Sequence, residues 1–527
     1  LWLNEGFASW MENKANDHVH PEWHMWMASI DNRENAMRED ARAGTHPIIT
    51  PIKDVLMADQ AFDNITYQKG QAVIRMLESY VGEDAFRAGI RAYMKDHAYG
   101  NTVTDDLWRE LDKTSPTPIT RIAHDFTLQA GVPLIRVTKT KTGLRLTQDR
   151  VVDDGSENPP TSWHVPVVVR SLGGSELWHG IVSRDAPADV PLPSGKGGLV
   201  NAGQTAYFRT AYDDASFKDV AAAFSALAPE DQLGLINDAR DDGYVNVVPF
   251  GQFLTLASQV TPDTNPVVLD TLSGRMEGID TLYRGLPGRK AYRAFVQTVF
   301  DPVFANVGWD ARPGEDSNVA LLRGDLIDLL GQIGDPAVIA EANKRFEAYR
   351  ENPDSMSGDM RQTVMRVVSR NADAARWEQI RELAQKTNDS ALKEEFYTYL
   401  GAADDKTIAQ KALDLSLTDE VPVTVRLRIV GVVSGQHPEM AFDFFVAHRD
   451  AFNKILEPDA RDRFPMQLAG SSFDPAMIPK IKAYAEKNIA PTARGDSVKA
   501  TGAITYYSRI RETSLPVIDK WLAAKGK

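Results

Sequence analysis

Residues 214–527 carry a helical pattern interrupted at near-regular intervals, and these intervals constrain the fold more than any other feature. Apolar residues recur with helical spacing, as at Leu322, Leu326 and Leu329. Helix-breaking runs follow at 334–336, 371–373, 401–405, 436–438 and 473–475. A repeat of about 35 residues is typical of paired-helix solenoids. We therefore expect a large α-helical, solenoid-like C-terminal domain, although an all-α domain without a repeat would show breaks at similar intervals.

The chain before residue 214 has two other patterns. Residues 1–133 are helical in pattern, and four of the ten tryptophans lie within the first 26 positions. Between 134 and 213, short β-branched or alternating runs are separated by turn-rich runs such as Asp153-Asp154-Gly155, which predicts a small β-sandwich. The predicted strands lie at 134–138, 144–147, 164–169 and 206–209. The sequence thus predicts a multidomain, mainly α chain with domains at 1–133, 134–213 and 214–527.

Composition excludes several classes of protein. The 59 Lys and Arg residues against 73 Asp and Glu residues give a formal net charge of −14, which repels phosphate, so nucleic acid is not an expected partner. No window reaches roughly 18 consecutive apolar residues, so no membrane span is predicted within the sequence. The absence of cysteine excludes disulfides and thiolate metal sites. Localisation, cytoplasmic or periplasmic, and oligomeric state stay open.

Glu5 is the first candidate for a functional residue. Asn4 is a suitable helix cap, and Glu5 would then share one helix face with Ala8, Ser9 and Glu12. A carboxylate in a first helical turn also gains from the helix dipole. From the pattern alone, Glu5 is therefore better explained as a stabilising terminal charge.

Tyr67 is the second candidate. It precedes or begins an amphipathic helix over 71–80, in which Val73, Ile74 and Leu77 are expected to point inward. A tyrosine in this position can donate a hydrogen bond to a developing oxyanion. The alternative is an ordinary aromatic residue of the core or its rim.

The histidines do not form a recognisable metal motif. His20 and His24 are spaced at i, i+4, but Pro21 stands where a zincin requires glutamate, so we expect both to be exposed loop residues. His46, in His46-Pro47-Ile48, is expected to be structural. The sequence contains no H-E-x-x-H, G-x-S-x-G or P-loop motif.

Taken together, several segments resemble one family. Leu1-Trp2-Leu3-Asn4-Glu5-Gly6-Phe7-Ala8 resembles the W-L-N-E-G-F-A block of the aminopeptidase N-type zinc metallopeptidases, the gluzincin aminopeptidases. The segment 62–70 is similar to the family's F-D-x-I-S/T-Y-x-K-G, and 129–133 to its Q-x-G-x-P entry into a β-sandwich. The segment 201–213 looks like the block that leads into the family's helical C-terminal domain.

The resemblance implies a fold and an activity. Residues 1–133 would be the C-terminal half of a thermolysin-like catalytic domain that binds one Zn2+. Glu5 would be the third zinc ligand, and Tyr67 would stabilise the tetrahedral intermediate. The implied reaction is the zinc-dependent removal of N-terminal residues from peptides that have a free N-terminus.

The sequence departs from the family at the zinc site. In the family, Glu5 would follow H-E-x-x-H after a spacer of about 18 residues, but this motif is not in the chain. We therefore expect an N-terminally truncated fragment that is inactive alone and exposes Trp2, Phe7 and Trp10. Two alternatives stay open: an epoxide-hydrolysing relative, and a non-catalytic helical scaffold that binds peptide or protein.

Overall fold

The computed structural model describes residues 1–42, 45–51, 62–152, 161–193, 197–458 and 460–525, except for the side chain of Thr492. The chain divides into two compact units, 1–271 and 272–527. The architecture is mainly α, with two small β-sheets and a large C-terminal helical domain, as the sequence predicts. The division into three domains at 133 and 213 stays a prediction.

The described residues at the start of the first unit form six α-helices and a π-helical turn. These are α1 (Trp2–Val19), α2 (Met25–Asp40), the π-helical turn (Ile65–Lys69), α3 (Gly70–Val81), α4 (Glu83–Asp96), α5 (Thr104–Thr114) and α6 (Thr120–Leu128). Helix α3 buries Val73, Ile74 and Leu77, which confirms the predicted inward face.

The tryptophans of α1 are not exposed, contrary to expectation. Trp2 packs at 5.8 Å on Trp108 of α5, and Trp10 packs at 5.5 Å on Phe86 of α4. Both indoles are buried, and that of Trp10 donates a 2.9 Å hydrogen bond to Glu78 Oε2. The expectation failed because α3, α4 and α5, which follow α1 in the chain, cover these side chains.

Seven strands form two sheets in the described part of the first unit. They are β1 (Pro133–Lys139), β2 (Gly143–Arg150), β3 (Val165–Ser171), β4 (Glu176–Val182), β5 (Ala188–Pro191), β6 (Gly198–Val200) and β7 (Arg209–Tyr212). Their orders are β5-β2-β1-β7 and β4-β3-β6, and only the β1–β7 pair is parallel. A Cβ added to Gly198 of β6 would lie 3.0 Å from Leu144 of β2, so the two sheets face each other.

One predicted strand and one predicted turn in the β-region differ from the others in outcome. The predicted run 206–209 is strand only from Arg209 onward, because β7 begins there. The predicted turn Asp153-Asp154-Gly155 lies outside the described residues.

Three further helices lie in the first unit, namely α7 (Asp214–Ala223), α8 (Pro229–Tyr244) and α9 (Gly251–Ala257). Helix α8 is buried along nearly its whole length, including its charged residues. Asp238 and Asp241 of α8 bind Arg209 of β7 at 3.1 and 2.6 Å, and Arg209 also binds Glu34 of α2. We call Glu34, Arg209, Asp238 and Asp241 the acid–arginine cluster; it joins α2, β7 and α8.

The second unit is a stack of helix pairs. Helix α10 (Pro266–Leu282) crosses the boundary between the units, and α11 (Arg289–Val307) follows it. The stack is α12 (Ser317–Ile333), α13 (Pro336–Glu351), α14 (Gly358–Arg370), α15 (Ala374–Lys386), α16 (Ser390–Tyr399), α17 (Lys406–Ser416), α18 (Val423–Gln436), α19 (Pro438–Ala447), the short α20 (Arg449–Phe452), α21 (Ala460–Gly470), α22 (Met477–Asn488), α23 (Gly495–Thr513) and α24 (Leu515–Lys525).

The pairs stack in the order of the chain. Helices α12, α14, α16, α18, α21 and α23 form one row, in which each helix contacts the next. Their first residues are 317, 358, 390, 423, 460 and 495, close to the predicted repeat of about 35 residues. Every predicted helix break is confirmed, which gives the second unit its solenoid-like form.

Local capping explains where many of these helices begin. The side chain of Asp335 accepts hydrogen bonds from the backbone N–H groups of Ala337 and Val338. The residues Asp316, Asp373, Asp389 and Asp405 cap their helices in the same way. None of the described helices is both long and apolar enough to cross a membrane.

Candidate active site

Two glycines bring the segments 1–8 and 62–70 into contact. A Cβ added to Gly6 of α1 would lie 3.0 Å from Gly70 Cα and 3.2 Å from the Thr66 carbonyl oxygen. A Cβ added to Gly70 would lie 3.3 Å from Gly6 Cα. Only glycine allows this close approach of the α1 backbone to the π-helical turn and the start of α3. Residues that neighbour Gly6 and Gly70 in sequence are thereby brought together in space.

Glu5 and Tyr67 meet at this crossing. A hydrogen bond to the Glu5 carboxylate raises the pKa of the Tyr67 phenol, and partial burial and the charge of Glu5 act in the same direction. Both side chains are half-buried. Tyr67 lies in the π-helical turn, a backbone form that recurs at functional sites. The two residues singled out from the sequence thus lie in one site.

The predicted cap of α1 is wrong. The helix already begins at Trp2, with Leu1 as its N-cap, so Asn4 lies inside the first turn. Asn4 therefore cannot cap the helix. Glu5 nevertheless lies in the first turn of α1, as the sequence predicted, and its carboxylate is close to the positive end of the helix dipole.

Asp63 holds the start of the π-helical turn. Its Oδ1 accepts hydrogen bonds from the N–H groups of Ile65 and Thr66 at 3.0 and 3.1 Å, and its carbonyl oxygen accepts one from Tyr67 at 3.1 Å. The other carboxylate oxygen, Oδ2, lies 2.7 Å from His46 Nε2. Asp63 therefore acts as a cap for the segment that carries Tyr67.

Lys69 anchors the other end of the same turn. Its ammonium group is completely buried and lies 2.8 Å from Asp40 Oδ2. It also donates to the Gln129 carbonyl oxygen at 3.2 Å, and Asp40 Oδ1 accepts from the Gly131 N–H at 2.8 Å. The lysine of the Tyr67 motif and the Gln129-x-Gly131 motif are thus parts of one buried polar network.

A cavity of about 450 Å3 opens beside Tyr67. Its lining is mostly polar and includes Ser9, Glu12, Asn32, Tyr67, Gln68 and Gln71. The side-chain carbonyl oxygen of Gln68 is buried and has no hydrogen-bond partner among the described residues. A polar cavity with a buried, unpaired acceptor such as this one can receive a polar ligand that donates a hydrogen bond.

Comparison with known families decides what kind of chain this is. Residues 1–126 match the peptidase family M1 domain, and residues 199–501, more than half of the chain, match the ERAP1-like C-terminal domain. The chain belongs to the M1 family of peptidases. Glu5 and Tyr67 both lie in the part that matches the M1 domain, and β1 to β5 lie between the two matches.

Several M1 relatives are aminopeptidases by name. Aminopeptidase M1 of Arabidopsis thaliana is 30% identical over 471 residues, which cover 84% of this chain and 53% of that protein. Aminopeptidase M1-A of Oryza sativa subsp. japonica is 29% identical over 444 residues, or 80% of this chain and 50% of that protein. Tricorn protease-interacting factor F2 of Thermoplasma acidophilum is 28% identical over 355 residues, or 67% and 44%. The chain spans about half the length of these relatives.

One residue of this M1 chain fits a zinc ligand. Glu5 is a half-buried carboxylate in the first turn of α1, and such a carboxylate can bind a cation. A catalytic zinc takes three protein ligands, and no group of three His, Cys, Asp or Glu side chains able to hold a metal occurs among the described residues. Glu5 alone therefore does not complete a zinc site among the described residues.

The histidines of the M1 domain have different structural surroundings. His20 and His24 flank a 3-10 turn, where His20 stacks on Trp23 at 4.0 Å and pairs with Glu22 at 3.1 Å. His46, in contrast, is directly hydrogen-bonded to Asp63, the cap of the Tyr67 turn.

Five residues that build the site were not among the candidates from the sequence: Gly6, Asp63, Lys69, Gly70, and His46, which was expected to be structural. Both glycines and Lys69 are visible as unusual positions, since glycine is unfavourable within helices and lysine is rarely buried without a partner. The pairing of His46 with Asp63 has no local signal, because the two residues are 17 positions apart.

Proposed function

We propose that the chain forms the Glu5 and Tyr67 side of the active site of a zinc-dependent aminopeptidase, which removes N-terminal residues from peptides. The observation that carries this proposal is the close approach of Gly6 to Gly70, which brings the segments of Glu5 and Tyr67 together, so that the Glu5 carboxylate raises the pKa of the Tyr67 phenol. A half-buried carboxylate and a phenol side by side suit a metal ligand next to an oxyanion donor. The names of the relatives give the substrate class.

Each residue has a defined role in this proposal. Glu5 would hold the metal with two histidines that are not supplied by these 527 residues. Zinc, when bound, supplies a Lewis acid that polarises a carbonyl and activates water. Tyr67 would donate a hydrogen bond to the oxygen on which negative charge develops. A tyrosine phenol ordinarily titrates at about pH 10, so Tyr67 keeps its proton at neutral pH and can act as this donor.

The ligand count predicts how activity depends on the rest of the protein. One carboxylate cannot hold a catalytic zinc tightly, and the H-E-x-x-H glutamate that takes a proton from water is also absent from the sequence. We infer that these groups come from sequence outside residues 1–527. Alone, the chain should fold but neither bind zinc stoichiometrically nor hydrolyse peptides.

The test compares the 527-residue chain with the product of the complete reading frame. The longer product should contain one zinc per chain and hydrolyse alanyl and leucyl anilides in a chelator-sensitive way. The 527-residue chain should do neither, and added zinc should not rescue it. Zinc content by atomic emission and anilide hydrolysis are measured on the same samples.

Two outcomes would contradict the proposal. Chelator-sensitive hydrolysis by the 527-residue chain, free of contaminating peptidase, would show that the missing ligands are not needed. A complete reading frame without H-E-x-x-H about 18 residues before Glu5 would exclude the zinc enzyme and leave the helical scaffold as the better account.

A further inference from the structure

His46 makes two hydrogen bonds that a neutral imidazole cannot make together. Its Nε2 lies 2.7 Å from Asp63 Oδ2, and its Nδ1 lies 2.8 Å from the Pro47 carbonyl oxygen. An ionised carboxylate and a carbonyl oxygen only accept hydrogen bonds, so each ring nitrogen must carry a proton. Neutral imidazole has only one N–H. With Asp63 ionised, the geometry therefore fits the doubly protonated imidazolium.

The partner of His46 is the residue that caps the π-helical turn. Asp63 uses Oδ2 for His46 and Oδ1 for the N–H groups of Ile65 and Thr66. A fixed Oδ2 also fixes Oδ1, because the carboxylate is planar and rigid. The His46–Asp63 pair thus determines how firmly the backbone just before Tyr67 is held.

We propose that His46 is a positioning residue for Tyr67, and that its imidazolium holds Asp63 in the orientation that caps the π-helical turn. His46 does not touch substrate or metal in this proposal. It acts through Asp63 on the backbone that sets the direction of the phenol. The consequence for catalysis rests on the proposed function, whereas the consequence for the turn does not.

The surroundings of His46 favour its charged form. The hydrogen bond to Asp63 raises the pKa of His46; burial opposes this, and the Pro47 carbonyl and the charges of Asp63 and Asp40 support it. Asp40 is itself paired with Lys69. The Thr50 hydroxyl lies 3.5 Å from Nδ1 and donates to Pro47 instead, at 2.9 Å.

The stabilising effect of His46 on the π-helical turn depends on pH. A histidine in the unfolded chain has a pKa of about 6.5. The stabilising effect of the imidazolium is therefore complete below about pH 6.5 and is lost as the pH rises through the raised pKa of His46. The hydrogen bonds from the N–H groups of Ile65 and Thr66 to Asp63 should thus weaken above neutral pH.

The first test uses the 527-residue chain and needs neither zinc nor activity. NMR of the chain with 13C-labelled histidine should show His46 titrating above the ordinary histidine pKa, and Asp63→Asn should lower that pKa. Hydrogen exchange should show that Ile65 and Thr66 amides lose about tenfold of their protection as His46 deprotonates. An ordinary or lowered pKa for His46 in the unaltered chain would overturn the proposal.

Two substitutions separate positioning from general stability. His46→Leu removes the donor and should reduce protection of the Ile65 and Thr66 amides at every pH. His46→Gln keeps a donor near the position of Nε2 but cannot titrate, so protection should persist and become independent of pH. The control is His124→Leu, since His124 also lies 2.7 Å from an aspartate, Asp105, but does not contact the turn.

In the active product of the complete reading frame, the same variants give a kinetic readout. His46→Leu should lower kcat by about tenfold with little change in KM, because Tyr67 acts only in the transition state. His46→Gln should restore most of kcat and abolish the alkaline decline that His46 causes. If amide protection and kcat in His46→Leu match those of the His124→Leu control, His46 has no positioning role.

Discussion

The Tyr67 phenol contacts a carboxylate and keeps its proton, which suits a hydrogen-bond donor and not a base. The hydrogen bond to Glu5 raises the pKa of Tyr67, and burial and the negative charge of Glu5 add to this effect. A donor of this kind contributes mainly when charge develops on the substrate oxygen. Its removal should therefore affect turnover far more than binding.

Substitution of Tyr67 by phenylalanine tests this assignment. In the product of the complete reading frame, Tyr67→Phe should lower kcat by about 10²–10³ and leave KM nearly unchanged, because the lost hydrogen bond forms only in the transition state. Steady-state hydrolysis of alanyl anilide measures both constants. A kcat within threefold of the unaltered enzyme would refute the role of Tyr67.

The role of Lys69 is structural. Its removal would leave the carboxylate of Asp40 buried without its cation. Lys69→Met should lower the free energy of unfolding by about 3–5 kcal/mol, as is usual when one partner of a buried ion pair is lost. Urea denaturation of the 527-residue chain measures the change.

The control for Lys69 is a surface pair in the same unit. Arg145 of β2 and Asp189 of β5 are both exposed and lie 2.8 Å apart, so Arg145→Met should change stability by less than about 1 kcal/mol. Equal effects of the two substitutions would show that the buried network of Lys69 and Asp40 does not stabilise the first unit.

At the scale of elements, the crossing of α1 with the π-helical turn aligns the site. Gly6→Ala would place a methyl group 3.0 Å from Gly70 Cα, where neither backbone can yield easily. We expect a loss of about 1–3 kcal/mol in the free energy of unfolding, as is usual for overpacking. We also expect a lower zinc content in the complete enzyme, since Glu5 would move with α1.

Gly274→Ala is the matched control for the crossing. Gly274 lies within α10, and a Cβ there meets nothing within 4 Å. Alanine should be neutral or stabilising at this position by up to about 1 kcal/mol, because glycine is unfavourable inside a helix. A Gly6→Ala protein as stable and as rich in zinc as the Gly274→Ala protein would mean that the crossing does not set the site.

The elements that the sequence predicted well are those with local signals. The breaks between the helix pairs follow from Asp and Pro residues at helix starts, such as Asp335 and Pro336. Strands β1, β2 and β3 follow from apolar and β-branched residues of a buried core. Such signals need no knowledge of distant partners.

The elements that the sequence missed depend on distant contacts. Strands β4 and β5 are short or largely exposed edge strands, with weak apolar patterns. The burial of Trp2 and Trp10 depends on Trp108, Phe86 and Glu78, which no local rule links to α1. The contact of Glu5 with Tyr67 could be inferred only from the family resemblance.

At the scale of the whole molecule, the acid–arginine cluster joins sequence segments that look like separate domains. Arg209 lies in the β-region, Glu34 in the region of α1 to α6, and Asp238 and Asp241 in α8. Burial raises the pKa of Asp238 to about 7, although Arg209 opposes this. Composition and periodicity could not reveal such a cluster, because each member alone has the sequence pattern of a surface charge.

The central claim for the whole molecule is that this chain supplies Glu5 as one zinc ligand of an aminopeptidase. The most direct test measures zinc content and alanyl anilide hydrolysis together, in the Glu5→Ala variant of the product of the complete reading frame. Asp17→Ala, which removes another carboxylate of α1, is the control and should keep both properties. We predict that Glu5→Ala loses zinc and activity in parallel, because two histidines alone hold the metal weakly. Stoichiometric zinc with undiminished hydrolysis in Glu5→Ala would contradict the claim and leave Glu5 as a carboxylate that only stabilises the start of α1.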